Sequence, residues 1–190
     1  MKICNLGEVK AIAFDIDGTL YRESNFFIRI IPHFILHWYF FLQYGLARKD
    51  LRKMPPSDDF FKLQAEVMAK RLHCTPEKAQ NKLDKIVYEG LKKYYKNVKP
   101  CENVTDLIEK LKTAGFKIAI LSDFPPDQKG EIWGIKQKCD VVLGTEETGA
   151  LKPSDIPFRV LAERLNVPLE EVFYIGNNHK YDIEGPKKLG

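Results

Sequence analysis

The chain has 190 residues, long enough for one domain with an insert or two small domains, and its 44% hydrophobic and 29% charged residues match an ordinary soluble globular protein. A net charge of +4 with basic residues scattered among acids argues against a nucleic-acid partner, whereas a mild positive excess suits a small anionic substrate. Cys4, Cys74, Cys101 and Cys139 are far apart, and the opening MKICNLGEVK lacks the apolar stretch of a secretory leader. Solitary thiols without a leader point to a reducing compartment, and the cytoplasm is the expected location.

In chain order, Val9–Phe14 forms a short apolar run rich in strand formers, as expected for a strand covered on both faces. It ends in Asp15 and Asp17, followed by Gly18 and Thr19. Burying unpaired charge is costly, so two acids at a strand's carboxyl end need a reason; a solvated end or a helix cap is the plain one. The carboxyl edge of a parallel sheet is also where ligands sit in open α/β folds, and Gly18 allows a sharp turn just past the acids.

Phe26–Leu42 (FFIRIIPHFILHWYFFL) is unusually aromatic and is followed by Arg48, Lys49, Arg52 and Lys53. Arg29, Pro32, His33 and His37 interrupt it before it reaches the ~18 apolar residues of a membrane span. It reads as a helix buried on most sides with a start or kink at Pro32, and the alternative is an interfacial segment, Phe26–Lys53, on a membrane surface. Phe61, Ala65, Met68 and Leu72 share a helical face. Thr75-Pro76 starts another helix, whose apolar stripe runs through Leu83, Ile86, Val87, Leu91 and Tyr94. Residues 22–100 therefore form an all-helical unit.

From Cys101 the pattern alternates. Val104, Leu107, Ile108 and Leu111 give a helix closed by Gly115, and Phe116–Leu121 is a core strand ending at Ser122 and Asp123. A short helix through Ile132 and Ile135 leads to the strand Asp140–Leu143. After the loop Gly149–Pro153, Ser154 or Asp155 caps a helix carrying Phe158, Leu161, Ala162 and Leu165. Val172–Ile175 is the last strand, running into Gly176-Asn177-Asn178 and a helix start near Tyr181. Strands alternating with helices imply a parallel sheet with right-handed crossovers, hence an α/β, three-layer Rossmann-like core with an all-helical insertion.

The polar groups at the predicted strand ends and loops are Asp15, Asp17, Ser122, Lys152, Asn177 and Asp182. In this order, with the DxDGT element as the most specific part, the chain resembles the haloacid dehalogenase-like (HAD) superfamily, in its phosphatase branch. The resemblance covers residues 1–21 and 101–190 as the catalytic core, and the insert at 22–100 resembles a cap domain by its position. It implies a magnesium-dependent phosphohydrolase acting on a small phosphorylated metabolite. Asp15 would be the nucleophile that forms an aspartyl-phosphate, and Asp17 the general acid and then base, kept protonated by the acid beside it. Ser122, the Asp123 backbone and Lys152 would bind phosphoryl oxygens, Lys152 supplying fixed positive charge there, and Asp15, Asp17, Asn177 and Asp182 would hold Mg2+.

The resemblance departs at Asn177, where the family places an acid. An amide supplies an oxygen without charge, which implies weaker metal affinity. Asn at this position is shared with dehalogenases of the superfamily, but they carry an aromatic residue where Asp17 stands and have no alkoxide to protonate. The competing readings are thus a fold-retaining binding or regulatory protein that has lost turnover or works on a membrane surface through Phe26–Lys53, a protein partner docking on the aromatic segment, and, further off, a dehalogenase. Family members continue past a glycine like Gly190 into another strand, so the Val172 strand is expected at a sheet edge with unpaired groups.

Overall fold

The structure, a computed structural model, describes residues 8–189. Strands β1 (Ala11–Phe14), β2 (Lys117–Ser122), β3 (Val141–Gly144) and β4 (Val172–Ile175) form one parallel sheet in the order β3-β2-β1-β4. The register sets Ala13 opposite Ala119 on one side and Tyr174 on the other. Helices α1 (Glu23–Leu36), α2 (Trp38–Leu51), α3 (Phe60–Leu72), α4 (Pro76–Leu83) and α5 (Glu89–Tyr95) are inserted after β1. The remaining helices are α6 (Val104–Thr113), α7 (Ile156–Leu165) and the short α8 (Gly185–Lys187).

Strand periodicity sorts the sheet into two faces. Ile12, Phe14, Ile118 and Ile120 pack toward Val104 and Ile108 of α6. Ala11, Ala13, Ala119 and Leu121 face Phe158, Leu161 and Leu165 of α7. Small side chains on the second face leave room for the bulky ones of α7. The α/β architecture expected from the alternating pattern is therefore observed, with β4 at the sheet edge. Cys74, Cys101 and Cys139 are free thiols. Cys4, the MKICNLG portion of the opening segment and Gly190 lie outside the described residues.

The inserted helices correct three expectations. The aromatic run is not one helix. Pro32 sits inside α1 without ending it, and the break comes at His37 (φ −117°, ψ 27°). Proline removes the amide that would bond the Ile28 carbonyl, but Ile28 is 69% exposed, so water can serve that oxygen. Nor is the run buried on most sides: α1 buries only Phe26, Ile30 and His33, while Phe27 (50%), Ile35 (68%) and Trp38 (64%) are open. The stripe after Thr75 also divides, with a π-helical turn at Asp84–Tyr88 between α4 and α5. Thr75 does cap α4, accepting the Lys78 N–H at 3.4 Å. In the core, the short helix expected near Ile132 is instead two 3-10 turns, Ile132–Gly134 and Lys136–Lys138, with Ile132 and Trp133 at positive φ. Among the described residues no helix is long and apolar enough to cross a membrane.

Entry to and exit from the insert are tied together by the Cys101 N–H bonding the Leu20 carbonyl at 2.8 Å. Farther out, α2 is anchored to the core by two arginines. Buried Arg48 donates to the Glu146 carboxylate, to Gln64 Oε1 (3.2 Å) and to the Asp123 carbonyl (2.9 Å). Tyr88 Oη donates to Glu146 as well, at 3.2 Å. Burial raises the Glu146 carboxyl above its ordinary range, against the pull of Arg48. Arg52, one turn on, pairs with Asp123 at 2.6 Å and donates to the Lys152 carbonyl at 3.0 Å.

A buried charge that loses its partner keeps its desolvation cost. Arg48→Met is expected to lower unfolding free energy in urea by about 3–5 kcal/mol, with most of it regained in Arg48→Met/Glu146→Met. A double mutant no more stable than the single one would show that the pair is not what holds α2 to the core.

Candidate active site

Each strand brings its carboxyl end to the same edge of the sheet. Asp15 follows β1 directly, and its backbone N–H continues the pairing to the Ile175 carbonyl of β4 at 2.8 Å. Lys152 follows β3, one loop later. Its ammonium lies 2.8 Å from Asp15 Oδ1, 2.7 Å from Asp182 Oδ1 and 3.0 Å from Tyr174 Oη. An ammonium has three protons, and here each has an acceptor. Lys152 therefore contributes charge and position, with no N–H left over for a further ligand.

The cluster is buried, with Asp15, Lys152 and Asp182 each no more than 5% exposed. Burial pushes the Asp15 carboxyl up to about 7; Lys152 pulls it down, and Asp17 and Asp182 push it up. Burial works against the Lys152 ammonium, but Tyr174, Asp15, Asp123 and Asp182 together raise its pKa well above the ordinary value. It stays charged.

Asp17 sits one turn away in a different environment. Tyr21 Oη donates to Asp17 Oδ1 at 2.6 Å, and Lys129 Nζ is 3.1 Å from Oδ2. Ser122 Oγ is 3.5 Å from the same oxygen and 3.2 Å from Lys129 Nζ. A buried cation and two hydroxyls thus lie around the Asp17 carboxylate. Asp123 turns out to be a structural anchor. Its side chain pairs with Arg52 and accepts from Thr145 Oγ1 (3.1 Å) and the Lys152 N–H (3.4 Å). Burial would raise its pKa, but Lys152, Arg52 and Arg48 hold it below the ordinary carboxylate value.

The last loop reaches the same spot. Gly18 has φ +78°, and a Cβ added there would overlap the Asn177 side-chain amide. Asn177 is therefore packed against the Asp17-Gly18 turn. A Cβ on Gly176 would likewise overlap the Asp182 carboxylate. Asp182 lies in a π-helical turn, His179–Glu184, where a regular helix start was expected, and its Oδ2 accepts the Asn178 N–H at 2.9 Å. Both its oxygens thus accept hydrogen bonds from the protein, one from Lys152 and one from the Asn178 N–H, where the sequence expectation has Asp182 holding Mg2+.

Among the described residues no three His, Cys, Asp or Glu side chains are grouped to hold a metal ion. The residues that could offer oxygen to a magnesium ion are Asp15, the Asp17 carbonyl and Asn177, whose side-chain amide the structure sets against the Gly18 turn. These are hard oxygen donors that suit magnesium, although only Asp15 among them carries charge.

Tyr174, Lys129 and Tyr21 were not anticipated. Tyr21 had a signal, since it stands four residues after Asp17. Lys129, one of 30 basic residues, had none.

The family model for haloacid dehalogenase-like hydrolases matches residues 9–190. Pyrophosphatase PpaX of Halalkalibacterium halodurans is 27% identical over 96% of this chain and 81% of its own. In fold, the chain is similar to a HAD phosphatase from Thermococcus onnurineus (TM-score 0.61, 20% identity, 96% of this chain and 83% of that one). It is equally similar to the L-2-haloacid dehalogenase from Xanthobacter autotrophicus (TM-score 0.62, 20% identity, 96% and 75%).

The Gly18 geometry sets a stability test. Gly18→Ala places a side chain in the left-handed region and against Asn177, and is expected to cost about 1–2 kcal/mol or more in urea unfolding. Gly45→Ala, in a helix with open space around it, is expected to stabilise by about 0.5–1 kcal/mol. Equal effects at the two positions would contradict the packing described here.

Proposed function

Because the chain belongs to the haloacid dehalogenase-like hydrolase family, we propose that it hydrolyses phosphomonoesters through a covalent phosphate on Asp15. The observation that carries this reading is the division of labour between two neighbouring acids. Asp15 is held by a permanently charged lysine, and Asp17 is held separately by Tyr21 and Lys129. The sheet order also favours it. Neighbours of β1 lead away in opposite directions, and ligands bind at such switch points.

In the proposed reaction, Asp15 Oδ2, the oxygen outside the Lys152 contact, attacks phosphorus. The bond from phosphorus to the leaving oxygen breaks, and Asp17 gives that oxygen a proton. Asp17 then takes a proton from water, the water oxygen attacks phosphorus, and the Asp15–phosphorus bond breaks to release phosphate. Lys129 and Ser122 stand where phosphoryl oxygens would arrive. A phosphate dianion gives Lys129 a more highly charged partner than Asp17, leaving the Asp17 carboxyl available for its proton. Magnesium, when bound by Asp15, the Asp17 carbonyl and Asn177, would offset the repulsion between carboxylate and phosphate. The helices of residues 22–100 serve as a cap that keeps bulk water out.

A dehalogenase needs no acid in the position of Asp17, so the three partners of Asp17 favour a phosphate ester. A second reading, a fold-retaining protein with little turnover, draws on the uncharged Asn177. Phosphate release from p-nitrophenyl phosphate separates the two. Turnover is expected to need magnesium, to vanish in Asp15→Asn and to fall by about 10²–10⁴-fold in Asp17→Asn. Wild-type release no faster than Asp15→Asn on this ester, pyrophosphate and a panel of sugar phosphates would leave the second reading standing.

A further inference from the structure

A cavity of about 320 Å³ lies among the inserted helices, and Asp17 and Tyr21 form one end of it. Phe26 and Ile30 of α1, Tyr44 of α2 and Leu91 of α5 make up its walls. Phe27, Phe34 and Gly45 also line it and are exposed, so the mouth opens between α1 and α2. Among the described residues the charged ones in its lining are Asp17 and Glu23, both acidic, and Lys129 Nζ lies 3.1 Å from Asp17 Oδ2.

Resting on the phosphohydrolase reading above, we propose that this cavity receives the leaving group, and that the substrate is the phosphate monoester of an apolar alcohol. Asp17 ties the cavity to the chemistry, because the group that protonates the departing oxygen forms part of its wall. The wall then dictates what can follow that oxygen. A second phosphate, as in pyrophosphate, would enter beside two carboxylates, with the nearby Lys129 already facing the reacting phosphoryl group. Sugar hydroxyls would lose water for few partners, chiefly the Tyr44 hydroxyl, which has none among the described residues, and the two carboxylates. An alkyl, prenyl or aryl chain loses nothing and gains burial.

Size sets a limit. A cavity of about 150 Å³ holds a benzene ring, so this one takes about a dozen carbons. The outer surface fits the same substrate: beyond Phe27 at the mouth, Ile28, Ile31, Ile35, Trp38 and Leu42 are exposed along α1 and α2, and no carboxylate occurs from Ser24 to Lys49. An ester carried in an anionic lipid surface could therefore approach without repulsion.

The test is a series of n-alkyl phosphates from ethyl to dodecyl, set against pyrophosphate and glucose 6-phosphate. With the wild-type chain and magnesium, kcat/KM is expected to rise about fourfold per methylene until the cavity is full. Gly45→Leu, which adds a side chain at the mouth where a Cβ meets nothing within 4 Å, should cut kcat/KM for decyl phosphate at least tenfold more than for ethyl phosphate. Running decyl phosphate both dissolved and in phosphatidylglycerol vesicles separates a soluble from a lipid-borne substrate, and faster turnover than ethyl phosphate in either form supports the inference. A flat series, or pyrophosphate turned over as well as decyl phosphate, overturns it. Calorimetric binding to Asp15→Asn protein keeps the two proposals apart. Decyl phosphate bound at least tenfold more tightly than ethyl phosphate, with no ester hydrolysed by wild type, would uphold the apolar site and sink the hydrolase reading. Equal binding would sink the apolar site.

Discussion

A lysine ammonium buried in protein is tolerable only if each of its protons finds an acceptor, and the site is arranged around meeting that demand for Lys152. Asp15 comes from the end of β1, Tyr174 from β4 and Asp182 from the turn that follows it. The ammonium thereby fixes the loop after β3 to the central and edge strands. Tyr174 extends the link by donating to the Leu121 carbonyl of β2 at 3.1 Å. Gly176 has no side chain because the Asp182 carboxylate occupies the space, so the loop conformation follows from the same charge.

The inserted helices meet the core through a second set of charges. Arg48 of α2 and Arg52, the residue just past its end, reach the carbonyl and the carboxylate of Asp123 respectively. Arg52 also stacks 4.4 Å above the Tyr181 ring, one residue before Asp182. The loop that begins with Ser122 is consequently gripped from the insert side, which fixes where Ser122 and Lys129 stand relative to Asp17. In this arrangement the insert does two things with different chemistry. Polar residues of α2 and the turn before α5 attach it to the core, and aromatic residues of α1, α2 and α5 enclose an apolar space next to the acid. Anchoring by charge leaves the apolar side chains free to shape the cavity.

Sequence periodicity located the strands well because each is short, apolar and buried on two faces, which leaves little room for another reading. The inserted helices were less legible. Phe26–Leu42 looked like a core helix because aromatic content signals burial, yet many of those side chains face outward. Composition reports how apolar a helix is, not what covers it. The end of α1 at His37 rather than Pro32 was hidden for a related reason. Proline's missing amide matters only if the freed carbonyl cannot reach water.

By itself the sequence determined the four strands, the parallel sheet and the pair Asp15 and Asp17 at the end of the first strand, since local apolar patterning and the DxDGT turn encode these within a few residues. Only the tertiary structure decided the partners. Asp123 joined the arginines of the insert, Asp182 turned to Lys152, and Lys129 came to Asp17 from 112 positions along the chain. Such pairings depend on the electrostatics of burial, and which charges are buried together is settled by packing between distant segments.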